Sequence, residues 1–92
     1  MYLEIVSPEA TLFAGEVTSV TVPGVEGEFQ MLNNHAAIVS LLQEGVVKIE
    51  GDITIDEEYQ EHFSKDAKGK TVLSISSGTV EMKDNKVIVL AD

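Results

Sequence analysis

Apolar and polar side chains alternate with a period of two along most of the chain, the spacing of strands that bury one face. Val17–Val22 is rich in β-branched residues and stops at Pro23-Gly24, a pair suited to the central positions of a type II turn. Val46–Glu50 sets Val47 and Ile49 on one face against Lys48 and Glu50 on the other. Gly51-Asp52 then offers turn chemistry before Ile53–Ile55, so a hairpin is expected there. Val72–Ser76, Thr79–Met82 and Val87–Leu90 follow at short spacing, the last two joined by Lys83–Lys86. The pattern predicts an all-β chain, one domain over residues 1–92, built as a two-sheet sandwich or flattened barrel of about ten short strands.

Two stretches depart from the pattern. Asn34–Leu42 contains a short apolar run that fits a helical turn or a buried strand, and strand is the preferred reading. Asp56–Lys70 is dense in charge and reads as an exposed hairpin tip or loop, a solvated face. Neither a linker nor an internal repeat interrupts the 92 residues.

Charge narrows the choice of partners. The net charge is -10, and all six basic residues are lysines. Affinity for nucleic acid comes from cations that displace counterions from phosphates, so a polyanion is excluded as a partner. Without arginine there is no planar fork for bidentate grip on phosphate or carboxylate. Glu4, Glu9, Glu16, Glu26, Glu28 and Glu44 all precede Lys48, the first basic residue, so a partner of that region should be neutral or basic. The longest apolar stretch, Ala36–Leu42, falls far short of the roughly 20 residues that span a bilayer, so no direct membrane insertion is expected. Met1–Glu4 shows no signal-peptide pattern, the chain has no cysteine, and cytoplasmic residence is the expectation.

Little in the sequence points to catalysis. Ser64–Thr71 ends in Gly-Lys-Thr, the close of a phosphate-binding loop, but Ser64 stands where that loop needs glycine and Thr71–Ile75 reads as a strand where it needs a helix. His35 and His62 are the two histidines, and neither belongs to a zinc-ligand spacing or a nucleophile elbow. No catalytic residue, metal or cofactor is assigned. His62 lies in the charged run and reads as solvated. His35 follows Asn33-Asn34, which tolerate left-handed backbone, and reads either as a histidine satisfied by backbone where a loop enters the core or as an interface residue.

The most distinctive run is Val22–Phe29, with Gly24 and Gly27 three apart, Phe29 facing in and Glu26 or Glu28 facing out. This run, with Leu3–Glu9, Phe13-x-Gly15-Glu16-Val17, His35-Ala36, Gly45–Ile49, Ser77–Met82 and Asn85–Ala91, stands in an order that closely resembles the epsilon-subunit family of F-type ATP synthases, in its amino-terminal β-sandwich domain. The resemblance covers nearly the whole chain, and Asp56–Lys70 matches least.

The resemblance implies a noncatalytic rotor subunit of the central stalk, coupling proton flow to ATP synthesis. It would attach to the gamma subunit, touch the polar loops of the c-ring and act on the catalytic alpha/beta hexamer only indirectly. It would sit peripherally on the cytoplasmic face of a bacterial inner membrane. By the same resemblance Glu28 matches a glutamate near the c-ring loops, and Glu26, Gly27, Glu28, Phe29, Asn33, Asn34, His35 and Ser40 form the expected c-ring and gamma interface. Asn33-Asn34 replace a usual Pro-Gly, Ala37 replaces a proline, and Glu44 replaces the proline before Gly45. Asparagine can still supply the positive φ of that turn. Typical members continue past this length into a two-helix domain that inhibits hydrolysis and, in some, binds ATP; a 92-residue subunit is expected to lack both properties. The runner-up reading is a free-standing β-sandwich module that binds a small ligand or peptide. An enzyme using His35 with a carboxylate ranks third.

Overall fold

A computed structural model describes residues 1–92 and contains ten strands. They are β1 (Tyr2–Val6), β2 (Thr11–Glu16), β3 (Ser19–Gly24), β4 (Gly27–Leu32), β5 (Ile38–Leu42), β6 (Gly45–Glu50), β7 (Phe63–Lys65), β8 (Thr71–Ile75), β9 (Gly78–Lys83) and β10 (Lys86–Ala91). One hydrogen-bonded path runs β2-β1-β10-β9-β5-β3-β6-β8-β7, with β4 on β3. A single residue pair, Gly24 with Leu42, joins β3 to β5. That pair divides the path into two layers, β2-β1-β10-β9-β5 and β4-β3-β6-β8-β7, with the ends of β5 and β3 meeting at the corner between them. The all-β sandwich expected from the alternation is the fold found.

Alternation also dictates the core. Leu3, Ile5, Val80, Met82, Val87 and Val89 of the first layer meet Val20, Val22, Met31, Val47, Ile49 and Leu73 of the second in one cluster. β1 and β10 are parallel, whereas every other pair is antiparallel.

Three local expectations are corrected. Pro23-Gly24 is not the turn: both belong to β3, paired with Glu28 and Gly27, and the chain reverses at Val25-Glu26. Proline is tolerated because the β3–β6 ladder covers only Ser19–Thr21 and the β3–β5 pair only Gly24, so Pro23 falls where neither ladder needs its missing N–H. The Ile53–Ile55 half of the expected hairpin is not a strand. Both edges of β6 are taken by β3 and β8, and Ile53 and Ile55 instead pack on the core as irregular chain. The charged run is more than a loop: it holds a 3₁₀ helix, Glu57–His62, followed by β7. Asp56 Oδ1 caps that helix by accepting from the Glu58 N–H at 3.1 Å, and Tyr59 and Phe63 pack on the core. Asn34–Leu42 resolves into a turn followed by β5.

The loop from β7 to β8 is organised by Asp66, whose Oδ1 accepts from the N–H groups of Lys68 and Lys70, both at 2.9 Å. These bonds, that from Lys70 first, hold the carboxyl below its ordinary pKa. A depressed folded-state pKa gives stability that is present above the usual carboxylate range, about pH 4, and lost as pH falls through the folded value. The protection of the Lys68 and Lys70 amides, measured against the intrinsic exchange rate at each pH, should therefore fall as Asp66 is protonated, and Asp66→Ala should show the same low protection already at neutral pH.

Candidate functional site

The expected interface residues fall at both ends of β4. Glu26 and Gly27 form the tip of the β3–β4 hairpin, where Gly27 takes φ 128°. Glu28 and Phe29 follow: Phe29 leans on the core while Glu28 is exposed, as the alternation requires. The tip abuts the end of β5, since the Val25 N–H donates to Leu41 O at 3.1 Å and the Gln43 N–H donates to Pro23 O at 2.9 Å. Glu28 is not free of cations. Its Oε2 lies 3.5 Å from Lys48 Nζ, while Lys70 Nζ is held 2.7 Å from Glu50 Oε1 beside it. That bond to Glu50 is the main reason the Lys70 ammonium pKa rises.

Asn33, Asn34 and His35 stand at the other end of β4. Asn34 adopts φ 62°, the left-handed conformation anticipated for asparagine there. Its N–H donates to Asn85 Oδ1 at 2.7 Å, and Asn85 Nδ2 donates to Asn33 Oδ1 at 3.1 Å. The Met1 amino group donates to the same Asn33 oxygen at 2.9 Å. The two asparagines thus clip β4 to the β9–β10 turn and to the start of β1, a role the sequence reading did not assign. His35 is exposed rather than set at the mouth of the core, with Nδ1 2.7 Å from Ala36 O and its N–H donating to Leu32 O.

Ser40 sits on the same side of β5 as Ile38 and Leu42, half-buried, with its hydroxyl donating to Leu41 O at 3.1 Å. The residues that face outward are its neighbours. Val39 is 75% exposed, Leu41 63% and Leu90 50%. Register lines them up: Leu41 lies across from Thr79, Thr79 from Leu90, and Leu90 from Val6. One step along, Val39 lies across from Glu81, Glu81 from Ile88, and Ile88 from Glu4. An apolar strip therefore lies on the outer face of the first layer, Val39 and Leu41 on β5 and Ile88 and Leu90 on β10, interrupted on β9 by Thr79 and Glu81 and flanked at the Tyr2 end by a Lys86–Glu4 ion pair and by Lys86 over the Tyr2 ring. Sequence reading assigned none of Val39, Leu41 and Leu90 to the interface. The signal was present in Ala36–Leu42, an apolar run without the alternation of a half-buried strand.

No constellation for catalysis forms. His62 ends the 3₁₀ helix with its ring 6.4 Å from that of Tyr59, and His35 lies on a separate turn. Lys70-Thr71 leads into β8 rather than a helix, which removes the geometry of a phosphate loop.

Comparison with known proteins gives the chain a family. Among solved structures, a chain of the Tetrahymena thermophila mitochondrial ATP synthase central stalk and c-ring superposes with a TM-score of 0.73 at 17% identity, over 99% of this chain and 62% of that one. A chain of the Euglena gracilis mitochondrial ATP synthase gives 0.73 at 22%, over 97% and 48%. At such identities the likeness establishes the fold alone. Sequence relatives are nearer: the ATP synthase epsilon chains of Campylobacter fetus at 42% identity over 93 residues, Campylobacter concisus at 37% over 92, and Helicobacter pylori at 39% over 90. The alignments take in 98 to 100% of this chain, which spans about 60% of the length of those relatives. The family model for the β-sandwich domain of the ATP synthase delta/epsilon chain matches residues 1–92, every position from Met1 to Asp92, and the protein belongs to that family.

Proposed function

We propose that the protein is the rotor-attachment domain of an ATP synthase central stalk, a noncatalytic element that joins the gamma subunit to the c-ring so that proton-driven rotation reaches the catalytic hexamer. The observation that carries this reading is the Val39–Leu41–Leu90 strip. An exposed apolar row on an otherwise acidic chain is the mark of a docking surface. Gamma is assigned to the strip, where apolar contact supplies affinity. The c-ring loops are assigned to the hairpin tip, where Glu28 supplies orientation. The domain would then work as a peripheral component on the cytoplasmic face of a bacterial inner membrane. No helix of the structure is long and apolar enough to cross a bilayer.

Co-expression with the gamma subunit tests the first contact: a stoichiometric complex supports the reading, and a monomer that ignores gamma overturns it. Glu28 tests the second. Exposed ion pairs are worth about 0 to 1 kcal/mol, so Glu28→Gln should weaken c-ring association in a reconstituted complex by up to about fivefold at low salt. Raising the salt should erase the difference. Association that is indifferent to both Glu28→Gln and Glu28→Lys at low salt would remove Glu28 from the interface.

A further inference from the structure

The opposite margin of the first layer holds a second surface, independent of the rotor reading. β2 ends the sheet order and pairs only with β1. The Val17 N–H donates to Met1 O at 2.9 Å, which makes Met1 and Val17 a bonded pair. By the alternation of antiparallel ladders, Leu3 with Gly15 is the next bonded pair, and Ala14 and Glu16 turn their main-chain groups away from β1. Native sheets blunt such an edge with lysine, proline or a covering element. β2, Thr-Leu-Phe-Ala-Gly-Glu, has no lysine and no proline.

The segment opposite does not close the edge. No backbone hydrogen bond joins Ile53–Ile55 to β2. A cleft of about 420 Å³ lies between them, lined by Thr11–Ala14 on one wall and by Thr54, Asp56 and Tyr59 on the other. A neighbouring hollow of about 340 Å³ shares Leu12 and Tyr59 and adds Glu9 and Asp92. None of the lysines lines either hollow. Beside these hollows the Tyr59 phenol is held above its ordinary pKa, first by a side-chain hydrogen bond to Glu58, then by desolvation, and last by the charges of Glu58 and Asp56.

We propose that the free edge of β2 takes up an extended, lysine- or arginine-bearing segment of a partner polypeptide, added as a further strand of the first sheet. Main-chain bonds from Ala14 and Glu16 give the segment its register. Side chains on its cleft-facing side meet Leu12 and Tyr59, and its cations meet Asp56 and Glu9. An acidic segment is disfavoured by the same carboxylates, and a proline at a bonded position would break the added ladder.

The probe is a blocked hexapeptide of alternating lysine and valine, titrated to millimolar concentration into the isotope-labelled 92-residue chain at low salt. Amide signals of Leu12–Glu16 should move, and exchange at Ala14 and Glu16 should slow by about tenfold or more as a ladder forms. The glutamate–valine counterpart should leave them unmoved. Glu9→Lys, at an exposed side chain with no hydrogen bond or ion pair, should weaken the lysine peptide several-fold with the fold intact, and Ala14→Pro, which deletes an outward N–H, should abolish the protection at Glu16. Unmoved β2 amides, equal binding of the acidic peptide, or shifts confined to β4 or β7 would each overturn the proposal. Retained or lost gamma binding does not bear on it.

Discussion

The double variant Val39→Lys, Leu41→Lys is expected to lose gamma while keeping its fold. Both side chains project from β5 into solvent, and the backbone pairs they sit in, Val39 with Glu81 and Leu41 with Thr79, do not depend on side-chain identity. Strand preference disfavours lysine by at most about 1 kcal/mol per site, so the two together should lower Tm by at most about 8 to 16 °C and leave the protein folded at room temperature. At an interface the same change removes two apolar anchors and buries two cations. A loss of about 2 kcal/mol for the pair, from apolar contact removed and cations buried, corresponds to a fall in gamma affinity of about 30-fold. Ser40→Ala is the internal comparison. Ser40 faces inward between Ile38 and Leu42, and its replacement should leave gamma binding within a few-fold of the parent. If the lysine variant binds gamma as well as the parent, the strip is not the docking surface.

Gly78→Ala should have the largest effect on stability. Gly78 opens β9 and is flanked on both sides, by Leu42 of β5 and Ala91 of β10. A Cβ there would collide with the carbonyl oxygen of Leu90, a main-chain atom that cannot turn aside. Relief would require β10 to move off β9 at the point where Leu90 supplies the apolar strip. Overpacking of this kind costs about 1 to 3 kcal/mol, which for a domain of this size lowers Tm by roughly 5 to 20 °C. Gly69→Ala separates space from backbone conformation: nothing lies near a Cβ at Gly69, but its φ is 82°, so only the conformational penalty, about 1 to 2 kcal/mol, should appear. A Gly78→Ala protein as stable as the parent would show that β9 and β10 can part without loss.

What could be read from the sequence follows a physical line. Strands with strict alternation, such as Val46–Glu50 and Val87–Leu90, were visible because one face of each is core and the other solvent. Ile53–Ile55 alternates just as well, yet forms no strand: periodicity reports which side chains are buried, not whether an edge is free to pair. Pro23-Gly24 was misread because a proline in a strand makes sense only once the partner change from β6 to β5 is known. Tyr59 and Phe63 were hidden in the charged run, where two aromatics at irregular spacing carry no period. For the site, the glycines and glutamates of the hairpin tip were legible as turn chemistry. The apolar strip was not, because Val39, Leu41 and Leu90 come from strands whose adjacency to β9 is a fact of topology. The Asn33–Asn85 clip, spanning more than half the chain, was invisible for the same reason.

The lone Gly24–Leu42 pair has a mechanical consequence. Apart from that pair and the asparagine clip at the end of β4, no ladder joins the two layers, so a load applied to the outer face of one is carried to the other chiefly by contact between Leu3, Ile5, Val20, Met31 and their neighbours. Hydrogen-bond ladders resist sliding within a layer, whereas side-chain packing resists it between layers. The hydrophobic part of that second resistance weakens on cooling. Under torque in the cold the domain should therefore yield by shear between its sheets before either sheet unravels.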